Sequence, residues 1–330
     1  MAKAKKTAKS KKPAKMAKGK KGNRKFTFLF LLVLLLLVAE LISYVMKKAN
    51  EAKVINVQKI QEINGNATSG TGFKAWDMVP YAGGLALTDQ TSSRILFLDL
   101  QGNQTGEISG KTEGAPPFKE PSGLTVDASG DLFVMDTWNT LIRGFGPDHK
   151  PILRIDLSDK RYYGPRGLAW DHNSFLVADT GSHRLARIGE DGTQMGAWGT
   201  RGSSKGQFDN PYDVVLDDHG NAFVVDREND RIQVLDGQGK FVREIALGAQ
   251  PTAEAIDPAQ KTLYVSSQEG RFVKAFSLEG KYIGMVAEAG QKDPSIPDIN
   301  ALCVLPNGDL ALLQGGTRIL IEHILPPPAQ

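Results

Sequence analysis

The sequence predicts an all-β radial repeat, a six-bladed β-propeller, and three observations predict it. The stretch 206–240, GQFDNPYDVVLDDHGNAFVVDRENDRIQVLDGQGK, alternates short β-branched runs with turn clusters. An acid-to-arginine step with a spacing of five recurs along the chain. A proline stands before most of the first strands, at Pro121, Pro165, Pro211, Pro251 and Pro297.

Within 206–240 the strands are expected at 213–216, 222–225 and 231–235, with a fourth at 240–245. Four short strands joined by tight turns form one antiparallel sheet with two wet faces, so it needs neighbours of its own kind. The acid-to-arginine step marks those neighbours. Asp89…Arg94, Asp179…Arg184 and Asp226…Arg231 keep both residues; Asp136 keeps the acid, with Leu141 in the arginine's place. Ser266…Arg271 and Leu313…Arg318 keep only the arginine. Successive first members lie 47, 43, 47, 40 and 47 residues apart, a period that fits propeller blades rather than a sandwich or helical solenoid.

The segment PYDVVLDDHGNAFVVDRENDRIQVLDGQGK resembles an NHL repeat, whose pattern is roughly P-x-G-V-x-V-D-x-x-G-x-x-Y-V-x-D-x-x-N-x-R-I-Q-V-F-x-x-x-G. PRGLAWDHNSFLVADTGSHRLARIGEDG and PSGLTVDASGDLFVMDTWNTLIRGFGPDH match well, and the first copy and last two are degenerate. The resemblance covers about 73–324. It implies the propeller fold and leaves function open, because NHL propellers include RNA binders, protein-binding scaffolds, lyases and sensor domains.

The chain of 330 residues holds such a domain plus a separate N-terminal region. The net charge of +3 hides an asymmetry. Residues 1–25 carry 12 Lys and Arg and no acid, leaving 28 basic against 37 acidic residues in the remainder, a net of −9. An acidic propeller is poorly suited to nucleic acid, which needs a basic patch for phosphates. Cys303 is the only cysteine, so no intramolecular disulfide forms, and its apolar strand reads as core.

Residues 1–25 are a Lys-rich tail expected to be disordered and cytoplasmic. Residues 26–46, FTFLFLLVLLLLVAELISYVM, form an apolar stretch of 21 residues, enough for a transmembrane helix. The basic tail ahead of it, against Lys47 and Lys48 behind it, makes it a single-pass signal anchor of the cell (inner) membrane. Everything after Lys47 is then periplasmic or extracellular. A cleaved signal peptide with its apolar region at 26–39 would need an A-x-A-like site, and none comes after it.

Residues 47–72 are a linker, 73–325 the propeller and 326–330 a Pro-rich tail. The last copy stops at its third strand, so an open edge is expected unless another segment pairs with it. The candidates are 54–60, favoured by its length, and 73–79; the alternative is that 54–63 extends the membrane helix.

In this family the loops before first strands and those between second and third strands share the ligand-binding rim. The resemblance therefore places Trp138, Asn139, Tyr162, Tyr163, Arg166, His183, Tyr212, Arg227, Glu228, Gln250, Glu254, Asp298 and Asn300 there. The register of Asp89, Asp136, Asp179 and Asp226 has two readings. It could ring a central Ca²⁺, or each Asp could cap its own turn and pair with the arginine five residues on, among Arg94, Arg184, Arg231, Arg271 and Arg318. The second accounts for recurrence in each well-formed copy. The five histidines lack metal-site spacing, unlike the set in the amidating lyase of this family, and no G-x-S-x-G or Walker loop occurs. Trp76, Trp138, Trp170 and Trp198 read as packing residues.

The resulting expectation is a membrane-anchored binding or scaffold module for a protein, peptide or glycan partner, with no catalytic residues and no cofactor. The alternative is a Ca²⁺-dependent hydrolase or lyase resembling gluconolactonases or strictosidine synthases.

Overall fold

The computed structural model describes residues 36–41, 43, 54–65, 72–109, 115–267, 272–288 and 298–325. The chain divides into two units, Met1–Ala49 and Asn50–Gln330. In the first unit the described residues are helical. The rest of the expected span 26–46 lies outside the described residues, as do the tails 1–25 and 326–330. Among the described residues, no helix is long and apolar enough to cross a membrane.

The second unit is built of antiparallel meanders. The first sheet holds β2 (Ala75–Tyr81), β3 (Gly84–Asp89), β4 (Arg94–Leu98) and β5 (Gln104–Ser109). The second holds β6 (Pro121–Val126), β7 (Leu132–Asp136), β8 (Leu141–Phe145) and β9 (Pro151–Asp156). The third holds β10 (Leu168–Asp171), β11 (Ser174–Asp179), β12 (Arg184–Gly189) and β13 (Gln194–Trp198). The fourth holds β14 (Pro211–Leu216), β15 (Ala222–Asp226), β16 (Arg231–Leu235) and β17 (Phe241–Ala246). Turn chemistry fixes these meanders. Between β14 and β15, Asp217 Oδ1 accepts the His219 and Asn221 amides at 3.0 and 2.8 Å, and Gly220 takes φ +76°.

The remaining strands form one eight-stranded sheet. One half is β18 (Pro251–Asp257), β19 (Thr262–Ser267), β20 (Phe272–Ser277) and β21 (Tyr282–Glu288). The other is β22 (Ile299–Val304), β23 (Leu310–Gln314), β24 (Arg318–Ile324) and, from the far end of the chain, β1 (Val54–Asn64). β1 runs antiparallel to β24, from Val57 opposite Ile324 to Asn64 opposite Arg318. Its other edge pairs in parallel with β21, Val54 opposite Met285. The 54–63 segment is thus a strand rather than helix, and it extends past Ile60. The 73–79 segment largely becomes β2 instead. The repeat predicts six separate blades; the structure has four separate four-stranded blades and this eight-stranded sheet, because β1 offers a second open edge that β21 takes.

The innermost strands close a circle. β2 touches β6, β6 touches β10, and so on through β14, β18 and β22, which touches β2 again. Buried apolar side chains gather in six clusters, one at each interface between neighbouring meanders. One device repeats across these interfaces. A β-carbon on Gly192 or Gly280 would meet Ile155 or Ile245 at 3.2 and 3.3 Å, and one on Gly102 would lie 2.8 Å from Ile63 of β1. β1 therefore packs against the first sheet as other outer strands pack against their neighbours.

Candidate ligand-binding site on the propeller axis

The turns joining second to third strands make one face, the rim, together with the loops leading into first strands. Three of these turns are short 3₁₀ segments, Thr137–Asn139, Thr180–Ser182 and Arg227–Asn229, each followed by a left-handed residue: Thr140, His183 or Asp230. The Asp register holds this rim in place; in its own turn Asp89 Oδ1 accepts the Ser92 amide at 3.4 Å, and Asp136 and Asp226 accept from Asn139 and Asn229. Asp89, Asp136, Asp179 and Asp226 accept the amides of Lys74, Lys119, Tyr163 and Asp209, in the loops before the first strands. Each aspartate is fully buried and so latches two rim loops together.

The arginine five residues on completes the latch at Arg94, Arg184 and Arg231, with Nε–Oδ2 distances of 3.0, 2.8 and 2.8 Å. Asp136 lacks that arginine and draws on Arg143 at 3.3 Å and Asn139 at 2.9 Å. Its pKa is raised, chiefly by burial. In the last two meanders the expected register slips by one residue. Ser267, not Ser266, faces the start of β20, and Gln314, not Leu313, faces Arg318. Arg271 lies outside the described residues. Arg318 finds its acid on β1: Nε and Nη2 donate to Glu62 at 2.8 and 2.9 Å. With Lys59, this holds Glu62 at about 2.

At the centre of the rim, the residue two places after the repeat's proline position crowds the axis in the first four copies. Gly123 and Gly167 have no room for a side chain there: a β-carbon would come within 2.4 Å of the Arg166 carbonyl and 2.7 Å of Asp213 Cα. The β2 and β14 equivalents are Asp77 and Asp213. Asp77 accepts the Met78 amide at 2.7 Å and, across to the second sheet, the Leu124 amide at 2.8 Å. Asp213 accepts the Val214 amide at 2.9 Å. Burial raises the pKa of both, and the Asp77 charge raises Asp213 further.

Below them lies an axial cavity of about 360 Å³, whose lining includes Asp77, Asp213, Glu254, Trp170 and Cys303. Glu254 is expected on the rim, but it is buried, and neither carboxylate oxygen has a hydrogen-bond partner. Burial, then the Asp213 charge, raises its pKa well above the usual range against the opposing pull of the Val215 and Val225 amides. Burial also raises the Cys303 thiol.

Above the carboxylates, aromatic rings cover the mouth. Trp76 and Tyr212 lie 5.8 Å apart between centroids, and they come from sheets on opposite sides of the circle. The Arg166 guanidinium sits 4.7 Å from the Trp76 ring and 5.6 Å from Tyr212, and Arg227 sits 4.7 Å from Tyr212 on its own account. Arg166 Nη1 is buried without a hydrogen-bond partner. Burial raises the Tyr212 pKa against the opposing pull of the two arginines. Two cations and two aromatic faces at one opening suit an anionic group on a flat or apolar body.

Of the expected rim residues, Arg166, Tyr212 and Arg227 meet here, and Asn300 lines the same opening. Trp138 and Tyr163 form a separate exposed pair at 6.1 Å. Asn139 is committed to Asp136 and the Pro117 carbonyl, His183 Nδ1 accepts the Asn210 amide, and Glu228 accepts from Gln250. Sequence reasoning marks Trp76 only as a packing residue and passes over Asp77 and Asp213. The available signal was an aspartate where the repeat pattern has glycine, at Asp77 and Asp213 alone among the copies. Among the described residues, no group of three or more His, Cys, Asp and Glu could hold a metal. Each register aspartate is engaged by protein donors.

No family model matches the chain. It is 31% identical over 151 residues to peptidyl-glycine alpha-amidating monooxygenase B of Xenopus laevis, covering 41% of this chain and 17% of that protein. The A form from the same organism is 30% identical over 169 residues, covering 46% and 18%. The chain spans less than a fifth of the length of these relatives. A streptogramin B lyase structure superposes with TM-score 0.59 and 14% identity, over 80% of this chain and 97% of that one. A Bacteroides thetaiotaomicron protein of unknown function gives 0.61 and 14%, over 81% and 76%. The fold is propeller-like. At these identities the structural neighbours speak to fold alone.

Proposed function

We propose that the chain is a membrane-anchored, exported six-bladed propeller that binds a protein or peptide partner through its rim, seating an anionic group of that partner at the axial mouth. The eight-stranded sheet counts as two blades fused edge to edge. The observation that carries the binding reading is the pair Arg166 and Arg227 set against Tyr212, with Trp76 opposite. A peptide carboxylate matches the planar donors of arginine and its backbone matches the aromatic faces. The curated relatives are named for peptidyl-glycine chemistry, which favours a peptide over a glycan; the acidic propeller disfavours nucleic acid. The anchor rests on the twelve basic residues ahead of the apolar stretch.

The test is calorimetry of the full chain in detergent with short peptides of free or amidated C-terminus. Free-carboxylate peptides should bind more tightly, and Arg166→Ala should remove the difference. Equal affinity for both forms refutes the carboxylate reading. For the anchor, C-terminal reporters active on only one side of the membrane decide: activity from the cytoplasmic reporter alone ends the exported reading.

A second reading, a Ca²⁺-dependent hydrolase or lyase, is favoured by the oxygen donors under the mouth. Asp77, Asp213 and Asn300, whose Oδ1 has no hydrogen-bond partner, fit a hard cation. Stoichiometric Ca²⁺ that raises the melting temperature would support it.

A further inference from the structure

We propose that the base of the propeller, the face opposite the axial mouth, rests on the bilayer through a ring of exposed apolar side chains. The docking rests on the anchor reading above. Ile152, Met195, Val242 and Ile283 are 52, 57, 46 and 39% exposed. Each is the second residue of an outermost strand, β9, β13, β17 or β21. Each therefore sits beside the base turn that leads into that strand, closed by the bonds from Gly146 N to Lys150 O, Gly189 N to Thr193 O, Asp236 N to Lys240 O and Ser277 N to Lys281 O. In the last meander the equivalent place is Ile60 of β1, 52% exposed: it stands in the bulge between Lys59 and Gln61 opposite Glu322, as Ile152 stands in the bulge opposite Phe145. Only the first sheet departs, with Thr105.

These five account for most of the large exposed apolar residues described in the propeller; the others are Val54, Trp138 and Tyr163. Apolar residues scattered singly need no explanation, but a set repeated at one register position does. Equivalent positions of a radial repeat lie at one height around the axis. A globular partner would cover one side of such a ring, whereas a flat surface meets all of it.

The chain keeps such a surface within reach. Seven residues, 47–53, separate the apolar stretch from Val54. Fully extended they reach about 25 Å, so a bilayer crossed by that stretch lies close enough for a propeller face to meet it. The base adds an apolar hollow of about 580 Å³, lined by residues that include Pro80, Tyr81, Leu100, Pro147, Leu305 and Pro306. The turns beside the ring mix Asp148, Glu190, Asp191, Asp236 and Glu279 with Lys150, Lys240 and Lys281. Such a surface fits zwitterionic headgroups and has no need of anionic lipid.

The test uses the full chain reconstituted into phosphatidylcholine vesicles. Single labels are placed through Met195→Cys and Val242→Cys on the base and Tyr163→Cys on the rim; Cys303 is buried and stays unlabelled. Nitroxide lipids should quench the base labels several-fold more than the rim label, and neither added anionic lipid nor salt should increase this. A chain that floats with vesicles after an alkaline wash, yet whose base labels escape quenching, overturns the docking and leaves the anchor standing. Base labels shielded without lipid quenching would point to a second copy on this face and overturn it as well. A chain that fails to float overturns the anchor reading and the docking with it.

Discussion

Glu254→Met should make the protein more stable. Glu254 occupies a position filled in the other inner strands by Met78, Leu124, Leu168, Val214 and Leu302. It is 3% exposed, and both its oxygens lack hydrogen-bond donors. Burial, then the Asp213 charge, raises its pKa well above the usual range, so the folded state disfavours its charged form. A buried polar group left without a bond costs about 1–3 kcal/mol, and methionine of similar length removes that cost. Each kcal/mol shifts the melting point of a domain of this size by roughly 2–4 °C, so a rise of about 2–12 °C is expected. Urea titration at pH 7 should show a higher midpoint at unchanged slope. Glu254→Gln is the control: it keeps the shape and the unmet polar atoms, so it should match wild type at low pH and lack the loss that wild type suffers as pH rises. A methionine variant less stable than wild type by more than about 1 kcal/mol would refute the reasoning, since it would mean that Glu254 makes a bond of net value.

The axial aspartates give a pH signature. Their folded pKa values are raised, Asp77 to about 6 and Asp213 to about 8, so the native state binds more protons than the unfolded chain; the stability they contribute should be full below about pH 4 and fall as pH rises to 8, and Asp213→Asn should flatten that fall in a melting-temperature series. Asp226→Ala removes an acceptor shared by Asp209, Asn229, Arg231 and Gln233 and leaves the buried Arg231 without it; the loss should reach about 3–5 kcal/mol by denaturant titration, while a mutant that melts normally but loses ligand would make this register a binding site. Glu62→Ala breaks an ion pair about a third exposed, so double-mutant cycles with Arg318→Ala should give no more than about 1 kcal/mol. Removing β1 is another matter: a chain beginning at Gly65 loses buried Val57 and Ile63, worth about 1.5–3 kcal/mol each, and bares two strand edges, so it should melt far below one beginning at Ala49.

Local pattern carried most of the architecture. Strand runs, Asx turns and the acid-to-arginine step are written within some thirty residues, and in the fourth sheet they place β14–β17 within two residues of where they fold. The same locality explains the slips. In the last two meanders the acid is gone, and without it the step could not be registered to better than one residue, as Gln314 opposite Arg318 shows. The acid that Arg318 uses lies on β1, 256 residues away. The site was legible only in part for the same reason. Arg166, Tyr212 and Arg227 could be assigned to the rim one by one, but nothing local says that Tyr212 meets Trp76 across the axis or that Asp77 and Asp213 share one buried environment. Hydrophobic period and turn residues report each segment's own strand and face. Which faces meet at the axis is decided by closing the circle, where residues far apart in sequence are forced into one small, water-poor volume and shift one another's charge.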